Sequence, residues 1–239
     1  MKEQIERPER KVAVRMLSQK GKIANMRPKL RLAVPVVVIV VVLGAGFWIY
    51  GSFHGSKAVI PAKKIQNKLQ DQFLTQLPQL QASIAKDPNN SSLQQQLGVA
   101  KYATGDLQGA QAAYQKTVEL NPNNAVAHNN LANTYRDLGN YAQAEAEYRL
   151  AMKNDPKLTT PYMNLASIYQ YILGKPDVAL TIYASGIVSD PDYVDFYNAT
   201  GSIYEQQGLK DKAIAAYQKA LTKQPGNPAA EAGLKRLGK

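Results

Sequence analysis

The chain has 239 residues and no cysteine. A disulfide framework, a thiolate metal site and a cysteine nucleophile are therefore excluded. The absence also fits a domain held in an oxidising compartment. Histidine is nearly missing too, with His54 and His128 the only two. There is no G-x-S-x-G elbow, no phosphate-binding glycine loop, no dinucleotide fingerprint and no acidic cluster at metal-ligand spacing. The expectation is a protein that is not an enzyme and has no catalytic residue, no metal and no cofactor. His128 is expected to pack. Glu145 and Glu147 are two apart on a helix, so they fall on different faces and are expected to be solvated surface charge.

Acidic residues are the scarcer charge, eighteen against twenty-nine Lys and Arg, and the imbalance is local. Residues 1–32 hold ten basic side chains and three acids, a net charge of +7. The rest of the chain carries only +4, with the two signs interspersed. A nucleic-acid binder would show a basic stripe along its body. None is present, and no nucleic-acid partner is expected.

Charge disappears altogether from Ala33 to Phe53, beginning AVPVVVIVVVLGAGFWIY. Eighteen residues at about 1.5 Å each span roughly 27 Å, close to the thickness of a bilayer's hydrocarbon core. Val and Ile are poor helix formers in water. In lipid the backbone must satisfy itself, and a helix is the single-segment solution. Pro35 lies in the first turn, where its missing N–H costs little. Trp48 and Tyr50 sit at the far end, at headgroup depth. A cleaved signal peptide has a shorter basic region and a small-residue cleavage site beyond its apolar core. Here 32 residues precede the run, and Gly44 and Gly46 lie inside it, so an uncleaved anchor is expected over 33–53. Arg27, Lys29 and Arg31 precede the span, and Lys57 is the first cation after it. The positive-inside rule places the N-terminus in the cytoplasm and everything beyond the span across a plasma (inner) membrane. The basic tail 1–32, expected to be flexible, is suited to anionic lipid.

The remainder is organised by repetition. Segments 91–124, 125–158, 159–193 and 194–227 align. Their eighth positions are Gly98, Ala132, Ala166 and Gly201. A turn glycine follows at Gly105, Gly139, Gly174 and Gly208, then Ala110, Ala144, Ala179 and Ala213. Tyr114, Tyr148, Tyr183 and Tyr217 come four residues later, and Pro122, Pro156, Pro191 and Pro225 close each unit. Small residues let two helices cross closely, glycine ends the first helix, and proline ends the second. No unit can bury its apolar stripe alone, so the stack is what folds. The third unit is one residue longer, with the extra residue expected in its turn near Tyr171–Pro176. In the first unit Lys101 stands where the other three have tyrosine, and Tyr102 beside it is expected to compensate. Segment 54–63 is a linker. Segment 64–90 is a helical cap or degenerate repeat, kinked or split at Pro78, and 228–239 is a capping helix. In that last helix Leu234 and Leu237 face the stack, while Lys235, Arg236 and Lys239 face water.

A 34-residue helix-turn-helix with these columns resembles the tetratricopeptide repeat (TPR), in a single-pass membrane-anchored form of bacterial type. The resemblance implies an all-α fold: one N-terminal transmembrane helix, then a right-handed α-solenoid of four units with flanking capping helices. It also implies a protein partner, an extended peptide or helix, in the concave groove lined by first helices. The groove positions are Asn129, Asn133, Arg136, Met163, Asn164, Ser167, Gln170, Asn198, Ser202 and Glu205. Amides suit a peptide backbone, and Arg136 suits a carboxylate. The carboxylate-clamp subtype is not matched, because the fifth positions are Gln95, Asn129, Met163 and Asn198 rather than lysine. The run Asn129-Asn130-Leu131-Ala132 is similar to asparagine-bearing arrays of glycosyltransferases. The functional expectation is a membrane-anchored scaffold for assembling an envelope complex. Two alternatives stand beside it: a receptor of mitochondrial outer-membrane type with a cytosolic repeat domain, and a transmembrane regulator acting through the basic tail.

Overall fold

The computed structural model describes residues 62–239, with side chains from Gln70 onward, and four residues further upstream, where Val40 pairs antiparallel with Ile49 and Val41 with Trp48. Apart from these four, the expected tail, membrane helix and linker up to residue 61 lie outside the described residues. Among the described residues no helix is long and apolar enough to cross a membrane.

Among the described residues ten α-helices follow one another: α1 (Ala62–Lys86), α2 (Ser91–Ala103), α3 (Leu107–Leu120), α4 (Ala125–Asp137), α5 (Tyr141–Asn154), α6 (Thr159–Ser167), α7 (Pro176–Ser189), α8 (Val194–Gln206), α9 (Lys210–Lys223) and α10 (Pro228–Arg236). Short turns make neighbours antiparallel, so α2, α4, α6, α8 and α10 are the first helices of successive units. The turns within units share one edge of the stack, and the turns between units share the other.

The columns behave as their chemistry requires. Gly105, Gly139, Gly174 and Gly208 adopt φ of +87°, +79°, +63° and +72°, the left-handed conformation that lets the chain reverse after each first helix. A Cβ added to Gly98 would lie 2.5 Å from the ring of Tyr114, and one at Gly201 would lie 2.7 Å from the ring of Tyr217. The tyrosine column thus lies directly on the small-residue column. Tyr114, Tyr148, Tyr183 and Tyr217 are all buried in the apolar core. Tyr102 joins Ala110, Tyr114 and Leu131 in the first core cluster, while its neighbour Lys101 pairs with Asp106 at 3.0 Å.

Asparagine caps three of the first helices. Asn90, Asn124 and Asn227 accept from the backbone N–H groups of Leu93, Ala127 and Ala230, satisfying donors that a helix start leaves free. Leu158 and Tyr193 hold the same place before α6 and α8 and cap nothing.

Several expectations are corrected. Pro78 does not split α1, which runs through it as one 25-residue helix. The extra residue of unit three is absorbed inside the helix rather than in the turn. α6 passes into a π-helical turn, Ile168–Ile172, before Gly174 reverses the chain. A π turn takes up one additional residue without breaking the run of backbone hydrogen bonds. Arg236 is exposed, as expected, and from there pairs with Glu205 at 2.7 Å. Leu234 and Leu237 do pack on the last core cluster.

Candidate protein-binding face

The first helices present their fourth, fifth, ninth and twelfth positions towards one another along the inner side of the stack, and polar side chains there bond between units. At the fourth position, Gln94 donates to the Pro88 carbonyl (3.2 Å) and Tyr197 to the Pro191 carbonyl (3.0 Å). His128 does the same to Pro122 at 2.8 Å. In each case the acceptor lies six residues upstream, so this position ties a first helix to the proline turn before it.

His128 also meets Glu147 Oε2 at 2.6 Å through Nδ1. Both ring nitrogens therefore face acceptors, and only the doubly protonated imidazolium can donate to both. The Glu147 hydrogen bond raises the His128 pKa above its ordinary value. Burial opposes the rise, and the Pro122 carbonyl reinforces it. Glu147 is consequently not a solvated charge. Nor is Glu145, which accepts from Arg149 (2.8 Å) and from the Tyr169 hydroxyl (2.7 Å).

At the fifth position an amide reaches the asparagine cap of the next unit. Gln95 Oε1 accepts from Asn124 at 2.8 Å, and Asn198 donates to Asn227 at 3.1 Å. Asn129 is the same kind of residue with no such neighbour, because its next cap position is Leu158. It is 7% exposed, and its Oδ1 is buried without a hydrogen-bond partner. Asn198 Oδ1 is similarly unmatched.

The remaining expected groove residues divide sharply. Asn133 is committed to the fold, since its Oδ1 accepts from the Tyr148 hydroxyl at 2.6 Å and from Asn164 at 2.9 Å. Arg136 is engaged by Asp137 at 2.8 Å. Asp137 also accepts from the Tyr102 hydroxyl of the preceding unit. Glu205 accepts both guanidinium donors of Arg236 and the Tyr217 hydroxyl. Arg236 lowers the Glu205 pKa. Burial, with the Glu205 bond second, pushes Tyr217 up to about 12. Gln170 makes a long contact of 3.3 Å to Gln206, which also reaches Ser202 at 3.4 Å. Met163 and Ser167 are half-buried, Met163 against the core. Asn129, Met163, Ser167 and Ser202 thus keep capacity for a ligand, while Asn133, Asn164, Arg136 and Glu205 are occupied by the protein itself.

Sequence reasoning did not single out the cleft between α1 and α2. Its volume is about 550 Å³, and Phe73, Leu80, Leu93 and Val99 line it together with Gln76, Gln79 and Gln95. The available signal was the apolar spacing of Phe73, Leu77, Leu80 and Ile84, and the structure leaves no α1 side chain from Gln70 onward fully buried. Among the described residues no group of three or more His, Asp or Glu is placed to hold a metal ion.

A stack of helical hairpins with a polar inner face is an α-solenoid scaffold, a class built to present side chains to other proteins. Residues 91–124, 113–146 and 166–228 each match a tetratricopeptide-repeat family model, so these segments are TPR repeats. The fold is shared with solved structures. One crystal structure of MamA is 23% identical, with a TM-score of 0.57, over 70% of this chain and 96% of that one. Another structure of MamA is 27% identical, with a TM-score of 0.52, over 62% and 80%. A tetratricopeptide repeat protein from Parabacteroides merdae ATCC 43184 is 18% identical, with a TM-score of 0.57, over 73% and 70%. No curated protein matches the chain. TPR repeats make the domain a protein–protein interaction scaffold.

Proposed function

We propose that the chain is a membrane-anchored, non-catalytic scaffold that holds an extended partner segment against the inner face of its second and third units. The observation that carries this reading is Asn129 Oδ1, a buried acceptor without a donor on a side chain that, unlike Gln95 and Asn198, reaches no asparagine cap of the next unit. Leaving such a group unmatched costs roughly 1–3 kcal/mol. A backbone N–H of a bound peptide would remove that cost once the Asn129 amide turns outward to meet it, and Met163, Ser167 and Ser202 lie on the same first-helix face to take the peptide's side chains. The uncharged run 33–53 and the basic residues before it support anchoring in a plasma membrane, with the repeat domain on the extracytoplasmic side. In that place the scaffold would serve assembly of an envelope complex.

The test is site-directed photocrosslinking in cells, with the probe at Met163, in the natural chain and in Asn129→Ala. A discrete protein crosslink that weakens in Asn129→Ala, with the melting temperature unchanged, is the expected result. A crosslink of equal intensity in both would move the binding site off this face.

A further inference from the structure

We propose that the edge of the stack bearing Tyr171, Ile172, Leu173 and Leu209 is a second binding surface, whose ligand is the anionic lipid surface of the membrane. The proposal rests on the anchor reading above and adds to it an orientation for the repeat domain.

These four side chains are 67%, 48%, 41% and 41% exposed. They sit on two adjoining turns, those between α6 and α7 and between α8 and α9. The turns touch, since Gln207 donates to Asp177 at 3.0 Å. The corresponding turns of the first two units, Thr104-Gly105-Asp106 and Leu138-Gly139-Asn140, expose no large apolar side chain, Leu138 being half-buried. The apolar edge is therefore not a property of the repeat. In unit three it follows from the added residue, because the widened π turn carries Tyr171 and Ile172 outward while Ile168 stays in the core. Lys175, Lys210 and Lys212 lie in and just after the same turns. Asp177, held by Gln207, and Asp211 are the acids beside them. Lys212 rests 5.5 Å above the Tyr204 ring. Aliphatic side chains, an exposed tyrosine and flanking lysines are the composition of a surface that seats at the headgroup boundary.

The occupant follows from where the chain arrives. Gln70 donates to the carbonyl of Thr104, which lies in the turn between α2 and α3. The N-terminal part of α1 is thus at the same edge as Tyr171–Leu173 and Leu209, and the uncharged run lies upstream of it. In sequence order the span of the anchor reading leads into the repeat domain through α1, and so by way of this edge. Tethering keeps the local lipid concentration high, so a shallow contact suffices.

The natural absence of cysteine makes the test direct. Full-length Ile172→Cys, Leu209→Cys and Val188→Cys chains carry an environment-sensitive dye and are reconstituted into phosphatidylcholine–phosphatidylglycerol vesicles with nitroxide headgroup lipids. Val188 is exposed and apolar but lies near the opposite edge. The expected result is a blue shift, with quenching about twofold stronger at positions 172 and 209 than at 188. Equal quenching at all three positions, in chains that float with the vesicles and resist alkaline extraction, overturns the proposal while leaving the anchor intact. A blue shift that grows with protein density and ignores the nitroxide would mean that the edge pairs with another protein molecule, and overturns it too. Chains that do not float would remove the anchor reading, and this proposal with it.

Discussion

At the scale of single residues, the four equivalent tyrosines are not equivalent in energy. Tyr148 is fully buried and gives its hydroxyl to Asn133, whereas the equally buried Tyr114 hydroxyl has no acceptor. The difference lies at the ninth position, Asn133 in unit two and Val99 in unit one. Tyr148→Ala should cost about 3–5 kcal/mol, as large aromatic truncations do. Tyr148→Phe should cost about 1 kcal/mol, whereas Tyr114→Phe should cost nothing or stabilise, because it removes a buried hydroxyl that has no partner. Urea titration of the three variants checks the order, and equal losses in the two Phe variants would contradict it. His128 makes a second prediction. Its folded pKa is raised above 6.5 by Glu147. Its contribution is therefore complete below about 6.5, the unfolded value, and is lost as pH rises through the higher folded value. His128→Gln, which imitates Gln94, keeps a donor for Pro122 and removes the titration. Melting temperature against pH should flatten over that window in the variant. An unchanged slope would show that His128 does not titrate there.

At the scale of the helical element, the decisive bonds are those that join one unit to the next. Asn124 caps α4 and at the same time donates to Gln95 of the unit before. Asn124→Ala removes both bonds and should cost about 1–2 kcal/mol, measurable by thermal melting. A loss confined to a few tenths would mean that neither the cap nor the bond to Gln95 contributes as argued. This level also marks how far the sequence could be read. The turn glycines, the small-residue column and the buried tyrosines were legible because each depends on neighbours within one 34-residue unit. The state of the inner face was not. Asn133 meets Tyr148 fifteen residues on and Asn164 thirty-one residues on, and Glu205 meets Arg236 thirty-one residues on. Composition at a groove position cannot say whether a polar side chain is already engaged across a unit boundary. Even within one unit, Glu147 reads as surface charge until the packing of α4 on α5 brings His128 beside it. The π turn was visible as an extra residue, but its place inside the helix depends on Ile168 keeping its site in the core.

At the scale of the whole repeat domain, stability is distributed along a line, each unit leaning on its neighbours. The two ends are finished differently. α10 is fixed by Leu234, Leu237 and the paired donors of Arg236 on Glu205. α1 has no fully buried side chain from Gln70 onward, although it is the longest helix described. Amide exchange should therefore be faster along α1 than along α4 and α5. In Glu205→Gln, protection should fall in α10 while the middle units keep theirs. Uniform loss along the chain would show a single cooperative block instead. The weak seat of α1 has a mechanical meaning. Tension entering from the N-terminal side reaches α1 first and acts at its outer end, so it peels the helix from α2 turn by turn instead of shearing it along its length. α1 then behaves as a yielding element that lengthens under load while the tyrosine-packed units behind it keep their shape.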